Sequence, residues 1–156
     1  MILMPRKLFP VNIRLAVHVH ATENENKVLV SIKNIMPENT KLDLRKHTYS
    51  GYYGNPIIRF EGFISKPKEA KLIFEYIFSR IEGLIYPGWI VERFDKKSNT
   101  LYLRIDKQAA YLGKIVLGWG DDIIHLLFKF PGFLRINGEE LEIFIDSLRG
   151  KKSEEL

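Results

Sequence analysis

The sequence predicts an α+β fold: a mostly antiparallel sheet with helices packed on one face. Three observations carry this. Apolar residues alternate with period two in several short runs, helical apolar stripes lie between some of those runs, and strands outnumber helices in the order β-α-β-β-α-β-α-β-β-α. Several adjacent strands are joined by loops too short for a parallel crossover. A doubly wound parallel sheet would need strict alternation with long connections, which this chain lacks.

Val11, Ile13, Leu15, Val17 and Val19 alternate with Asn12, Arg14, Ala16, His18 and His20, the pattern of a half-buried strand. Thr22-Glu23-Asn24-Glu25 has the form of a capping box, with the Thr hydroxyl expected to cap the next helix. That helix buries Val28, Leu29, Ile32 and Ile35 and stops before Pro37. Leu42 and Leu44 open a strand that runs to about Tyr49. Ser50 to Pro56 is a loop rich in turn formers, and Ile57 to Ile64 is the returning strand. Ser65 is the expected cap of a helix with Pro67 in its first turn and a stripe of Ala70, Ile73, Phe74, Ile77, Phe78 and Ile81.

Pro87-Gly88 breaks the following segment, and Trp89 to Val91 is read as a short strand. A turn at Asp95 to Asn99 leads into a strand over Thr100 to Ile105. Asp106 caps a short helix, Lys107 to Leu112, which Gly113 ends in the left-handed conformation. Ile115 to Leu117 and Ile123 to Phe130 are expected to pair around Gly118-Trp119-Gly120-Asp121. Asn137 caps a last helix, over Glu139 to Arg149, with Leu141, Phe144, Ile145 and Leu148 on its apolar face. A length of 156 residues with no linker or repeat predicts one domain over 1–156: a core at about 12–130, a helical extension at 131–150 and a frayed charged tail at 151–156.

The absence of cysteine excludes disulfides, zinc ribbons and thiol catalysis, and fits a reducing cytoplasm. No apolar run approaches the roughly 20 residues of a membrane span, so no membrane partner is expected. The net charge of +5 sits wholly in residues 1–60, where nine Lys/Arg stand against four Asp/Glu; residues 61–156 hold fifteen of each. Such a surplus suits a polyanion, and equally the lysine-rich composition of a thermophile.

No complete catalytic centre is legible. His18 and His20 share a strand face but lack a third metal ligand, Asp121 and Asp122 point apart on a strand or turn, and neither glycine-rich phosphate loop is present. No catalytic residue, metal or cofactor is therefore expected. The basic and aromatic stretch from Arg45 is the best candidate for function: Arg45, Lys46 and Arg59 for phosphates, and Tyr49, Tyr52 and Tyr53 for stacked bases. A second cluster, Arg104, Lys107 and Gln108, surrounds the short helix. By composition alone, the tyrosines fit packing against the sheet or a second subunit just as well.

Four segments resemble a family of small archaeal proteins described as RNA-binding or exosome-subunit-like: His18 to Glu23, Gly54-Asn55-Pro56-Ile57, Leu101 to Gly113 with its Asp-Lys-Gln-Ala-Ala core, and Gly120-Asp121-Asp122. The resemblance implies a fold similar to a large-subunit ribosomal protein that contacts small ribosomal RNA, a homodimer, an archaeal cytoplasm and no enzymatic activity. It also implies RNA as partner and a place in RNA-processing or degradation machinery. The competing expectation is a dimeric protein-interaction or scaffold module without nucleic-acid binding.

Overall fold

The computed structural model describes residues 6–154 except 52, 84 and 85, with side chains described through 149. The chain runs β1 (Asn12–Val19), α1 (Glu25–Asn34), β2 (Asp43–Ser50), β3 (Pro56–Ile64), α2 (Pro67–Arg80), α3 (Trp89–Arg93), β4 (Phe94–Asp95), β5 (Thr100–Asp106), α4 (Lys107–Tyr111), β6 (Ile123–Lys129) and α5 (Gly138–Glu154). The strands form one open antiparallel sheet in the order β2-β3-β1-β6-β5-β4, so the expected α+β class holds.

Strand alternation divides the sheet into a covered face and an open one. Ile13, Leu15, Val17 and Val19 of β1 are buried under the helices, with Phe60 and Ile64 of β3, Leu101, Leu103 and Ile105 of β5, and Leu126 and Phe128 of β6. Their neighbours along each strand necessarily face the other way. Phe74 of α2 is the hub beneath: its ring meets Phe128, Phe130 and Phe9 edge-on at 5.3, 5.9 and 6.2 Å, and stacks with Phe144 of α5 at 6.4 Å. One aromatic cluster thus joins two helices to the sheet.

The helix ends differ from expectation in instructive ways. Asn24, not Thr22, caps α1, accepting from the Asn26 amide at 2.8 Å, while Glu23 folds back to accept from the His20 amide at 2.9 Å. Lys66, not Ser65, is the N-cap of α2 and makes no side-chain cap bond; Pro67 stands at the start, where a missing amide costs nothing. The predicted strand at Trp89 is instead α3. Two amides at its start are satisfied from outside, because the Glu142 carboxylate of α5 accepts from Gly88 N at 2.9 Å and Ile90 N at 3.2 Å. A cap supplied from a helix some fifty residues downstream leaves no trace in the local pattern.

Asp106 caps α4 as expected, accepting from Ala109 N at 3.2 Å, and Gly113 takes φ +84°. The pairing of 115–117 with β6 is not found. Those residues instead make single bridges, Val116 with Glu82 and Leu117 with Ile105, while β6 pairs with β1 and β5. Asn137 caps α5 by accepting from Glu139 N at 2.9 Å, and the helix continues past Arg149 to Glu154, into the stretch expected to fray; residues 155 and 156 lie outside the described residues.

Candidate nucleic-acid interface

The uncovered face of the sheet carries most of the cations that the sequence singles out. Register sets them in rows across the strands. One row reads Arg45 (β2), Glu61 (β3), Ala16 (β1), His125 (β6) and Arg104 (β5); the next brings His47, Arg59 and His18 together; a third holds Asp43, Phe63, Arg14, Leu127 and Tyr102. From β2 to β5 this surface is about 20 Å wide, four strand spacings.

Glu61 is the central acid. Its carboxylate lies 2.9 Å from Arg59 Nε and 3.4 Å from His47 Nε2. Among the described residues, no carboxylate comes within ion-pair distance of Arg45 or Arg104. Arg14 lies over the Phe63 ring, 5.6 Å from its centroid. His18 and His125 both titrate below the usual 6.5: burial is the main cause for each, reinforced at His18 first by Arg59 and at His125 first by Arg104. Both imidazoles are therefore neutral at pH 7, and the positive potential there belongs to the arginines.

Two open pockets flank the loop 118–122. One, of about 550 Å³, is lined by His18, His20, His125, Tyr53, Asn55 and Asp121 among others. The other, of about 590 Å³, lies toward the β4–β5 edge and is lined by Trp119, Tyr102, Arg104, Arg93 and Phe94 among others.

Of the residues expected from sequence, Arg45, Tyr49, Arg59 and Arg104 share the open face, with Tyr49 half exposed and its ring 6.2 Å from His47. Tyr53 stands at the mouth of the first pocket; Tyr52 lies outside the described residues. Lys46 is one residue out of phase with Arg45, so it points to the opposite side and meets Glu25 of α1 at 2.9 Å. Lys107 is not at the surface at all. At 1% exposure, its ammonium donates to His18 O at 2.8 Å and Glu23 Oε1 at 2.7 Å and lies 3.1 Å from Asp122 Oδ1. Gln108 is exposed on α4, which packs on α1, and donates to Asp122 Oδ2 at 3.1 Å.

This lysine also explains the grouping of His20, Glu23 and Asp122, whose ligand atoms lie within 4.8 Å of one another. An internal ammonium already sits against both carboxylates, which leaves little reason for a metal ion.

A model of a family described as RNA binding matches residues 12–130, from the first residue of β1 to just past the end of β6. The chain belongs to this family. All six strands fall inside the matched stretch, and α5 falls outside it. An uncharacterized protein of Methanocaldococcus jannaschii is 39% identical, over 83% of this chain and 90% of its own. A protein of Pyrococcus abyssi named as RNA-binding is 31% identical, over 83% and 88%. Among solved structures, a crystallised protein of Archaeoglobus fulgidus superposes with a TM-score of 0.71 at 27% identity, covering 89% of this chain and 99% of that one. One from Sulfolobus solfataricus gives 0.68 at 25% identity, over 90% and 98%.

The family membership and the open face direct attention to residues that sequence reading passed over. Arg14, Phe63, Tyr102 and Trp119 are the main ones. Arg14 and Tyr102 were legible in principle, since strand parity alone puts them beside Ala16 and Arg104. Trp119 was not, because its exposure depends on how a loop is anchored.

Proposed function

We propose that this protein binds RNA through the open face of its sheet, with Arg45, Arg59 and Arg104 contacting phosphates and Tyr49 and Tyr53 offering ring faces to bases. The observation that carries the reading is the placement of two arginines, Arg45 and Arg104, at either end of one cross-strand row, neither with a carboxylate at ion-pair distance among the described residues. A phosphodiester chain laid across the strands would meet a cation at each end of that row, with Arg59 beside its middle. Aromatic rings on the same side suit unstacked bases and hence single-stranded segments. Membership of a family described as RNA binding supports the same reading. The protein acts here by binding, without a catalytic step.

The test is RNA affinity measured over a range of salt concentrations. Each of Arg45→Ala and Arg104→Ala is expected to weaken binding of a single-stranded RNA several-fold. Each should also flatten the slope of log affinity against log salt by about 0.7, one phosphate's worth. Lys46→Ala, on the opposite side, is expected to change neither by a comparable amount. Unchanged affinity and slope in both arginine variants would remove the open face from the proposal.

A homodimer also belongs to this reading. Among the described residues the outer edge of β2 is unpaired, and the backbone groups that alternate residues of its eight turn outward are a template for a second copy. Light scattering on the wild type and on Thr48→Pro tests it; pairing through this edge requires that the variant shift toward monomer. Association with RNA-processing machinery rests on the family likeness, and co-purification with archaeal exosome subunits would test it.

A further inference from the structure

We infer that Trp119 and the pocket beside it, at the β4–β5 side of the open face, form a stacking site for a single unpaired nucleobase. The inference rests on the RNA-binding reading and adds to it a site and a strand preference. Trp119 is 78% exposed, although a tryptophan is among the costliest side chains to leave in water. Its exposure is built in rather than a matter of a loose loop. Val116 O accepts from the Asp106 amide at 2.8 Å, and the Gly118 amide donates to Arg104 O at 3.0 Å, so the chain is tied to β5 up to the residue before the indole. A Cβ at Gly118 would lie 2.8 Å from Asp106 N and 2.7 Å from Ile123 Cγ2, which only glycine avoids. Gly120, on the other side, has φ +69°. Two glycines thus hold the indole outward on a short, anchored stalk.

The surroundings point to a nucleobase rather than an apolar partner. The pocket of about 590 Å³ is lined by Tyr102 (44% exposed), by Arg104, and by Arg93, whose guanidinium lies 4.1 Å from the Trp89 ring centroid. Its two acids have local partners: Glu92 accepts from Tyr86 Oη at 2.6 Å, and Asp95 accepts from Lys97 N and Ser98 Oγ at 3.1 and 2.8 Å. Arg104 also ends the row of the open face, so a strand crossing that face from β2 would arrive here with a phosphate on Arg104 and its next base over the indole. A base within a duplex has no face to offer, so the site selects single strands.

The molecule contains its own reporter. Both of its tryptophans line this pocket, but Trp89 is 3% exposed against 78% for Trp119, so a ligand-dependent change in emission is expected chiefly from Trp119, and its loss in Trp119→Phe makes the assignment. The full chain is titrated with oligoadenylate and with an RNA duplex of equal length, while filter binding follows retention in parallel. Oligoadenylate is expected to quench the emission and the duplex to leave it unchanged. Trp119→Phe should abolish the quench and keep most of the affinity, because a ring remains. Trp119→Ala should weaken oligoadenylate about 5- to 100-fold, with unaltered thermal unfolding as expected for an exposed side chain. Retention on the filter without quenching, equal quenching by duplex, or full affinity in Trp119→Ala would each overturn the stacking site while leaving RNA binding intact. Failure of the wild type to retain any RNA would instead overturn the underlying reading, and the site with it.

Discussion

Lys107 and the two neutral histidines show how single residues here serve either the frame or the surface. A lysine at 1% exposure is tolerable only because Glu23, Asp122 and the His18 carbonyl surround its ammonium. Replacing it by Met should strand two partly buried carboxylates and cost about 3 kcal/mol, visible as a lower urea midpoint. His18 and His125 behave in the opposite sense. Their folded-state pKa values lie below 6.5, so the stability they permit is complete above 6.5 and declines as pH falls through the folded values, where the native state must take up protons at cost. The same protonation adds positive charge beside Arg59 and Arg104. RNA affinity is therefore expected to rise on acidification below 6.5 while stability falls, and His18→Gln with His125→Gln should flatten both profiles. Affinity independent of pH would separate these imidazoles from the ligand.

At the scale of elements, hydrophobic periodicity carried far. The alternation of β1, the stripe of α2, the Asp106 cap with its Gly113 stop, and the Asn137 start of α5 were all legible, because each is decided within one or two turns of chain. The failures share a cause as well. α3 is a helix because Glu142 reaches over from α5, and Ile115 to Leu117 never becomes a strand because β6 finds better partners in β1 and β5. Long-range partners decided both, and no local window contains them. The Phe74 cluster makes a prediction at this scale. Since one ring bridges α2, α5 and β6, Phe74→Ala should cost about 3–5 kcal/mol and loosen the docking of α5 with it. Near-ultraviolet circular dichroism and thermal unfolding report the two effects, and a small loss confined to α2 would speak against the hub.

The whole molecule adds what neither scale contains: which charges end up side by side. The basic surplus of residues 1–60 was legible as a total, but its geometry was not. Arg45 and Lys46 look like one cluster in sequence, yet strand parity sends them to opposite faces, while Arg45 and Arg104 become ends of one row although 59 positions separate them. The expected group of Arg104, Lys107 and Gln108 divides in the same way between sheet, interior and helix surface.

That division bears on how kinship in this family translates into activity. The Asp-Lys-Gln-Ala-Ala stretch, on which the resemblance to the family leans, is an internal clasp: a cap, a sequestered cation and an amide turned back on Asp122. A distant cousin could keep every letter of it for architectural reasons alone and still have exchanged the arginines of the exposed side. If the rows above it choose the ligand, as proposed, the clasp and the ligand choice can drift independently.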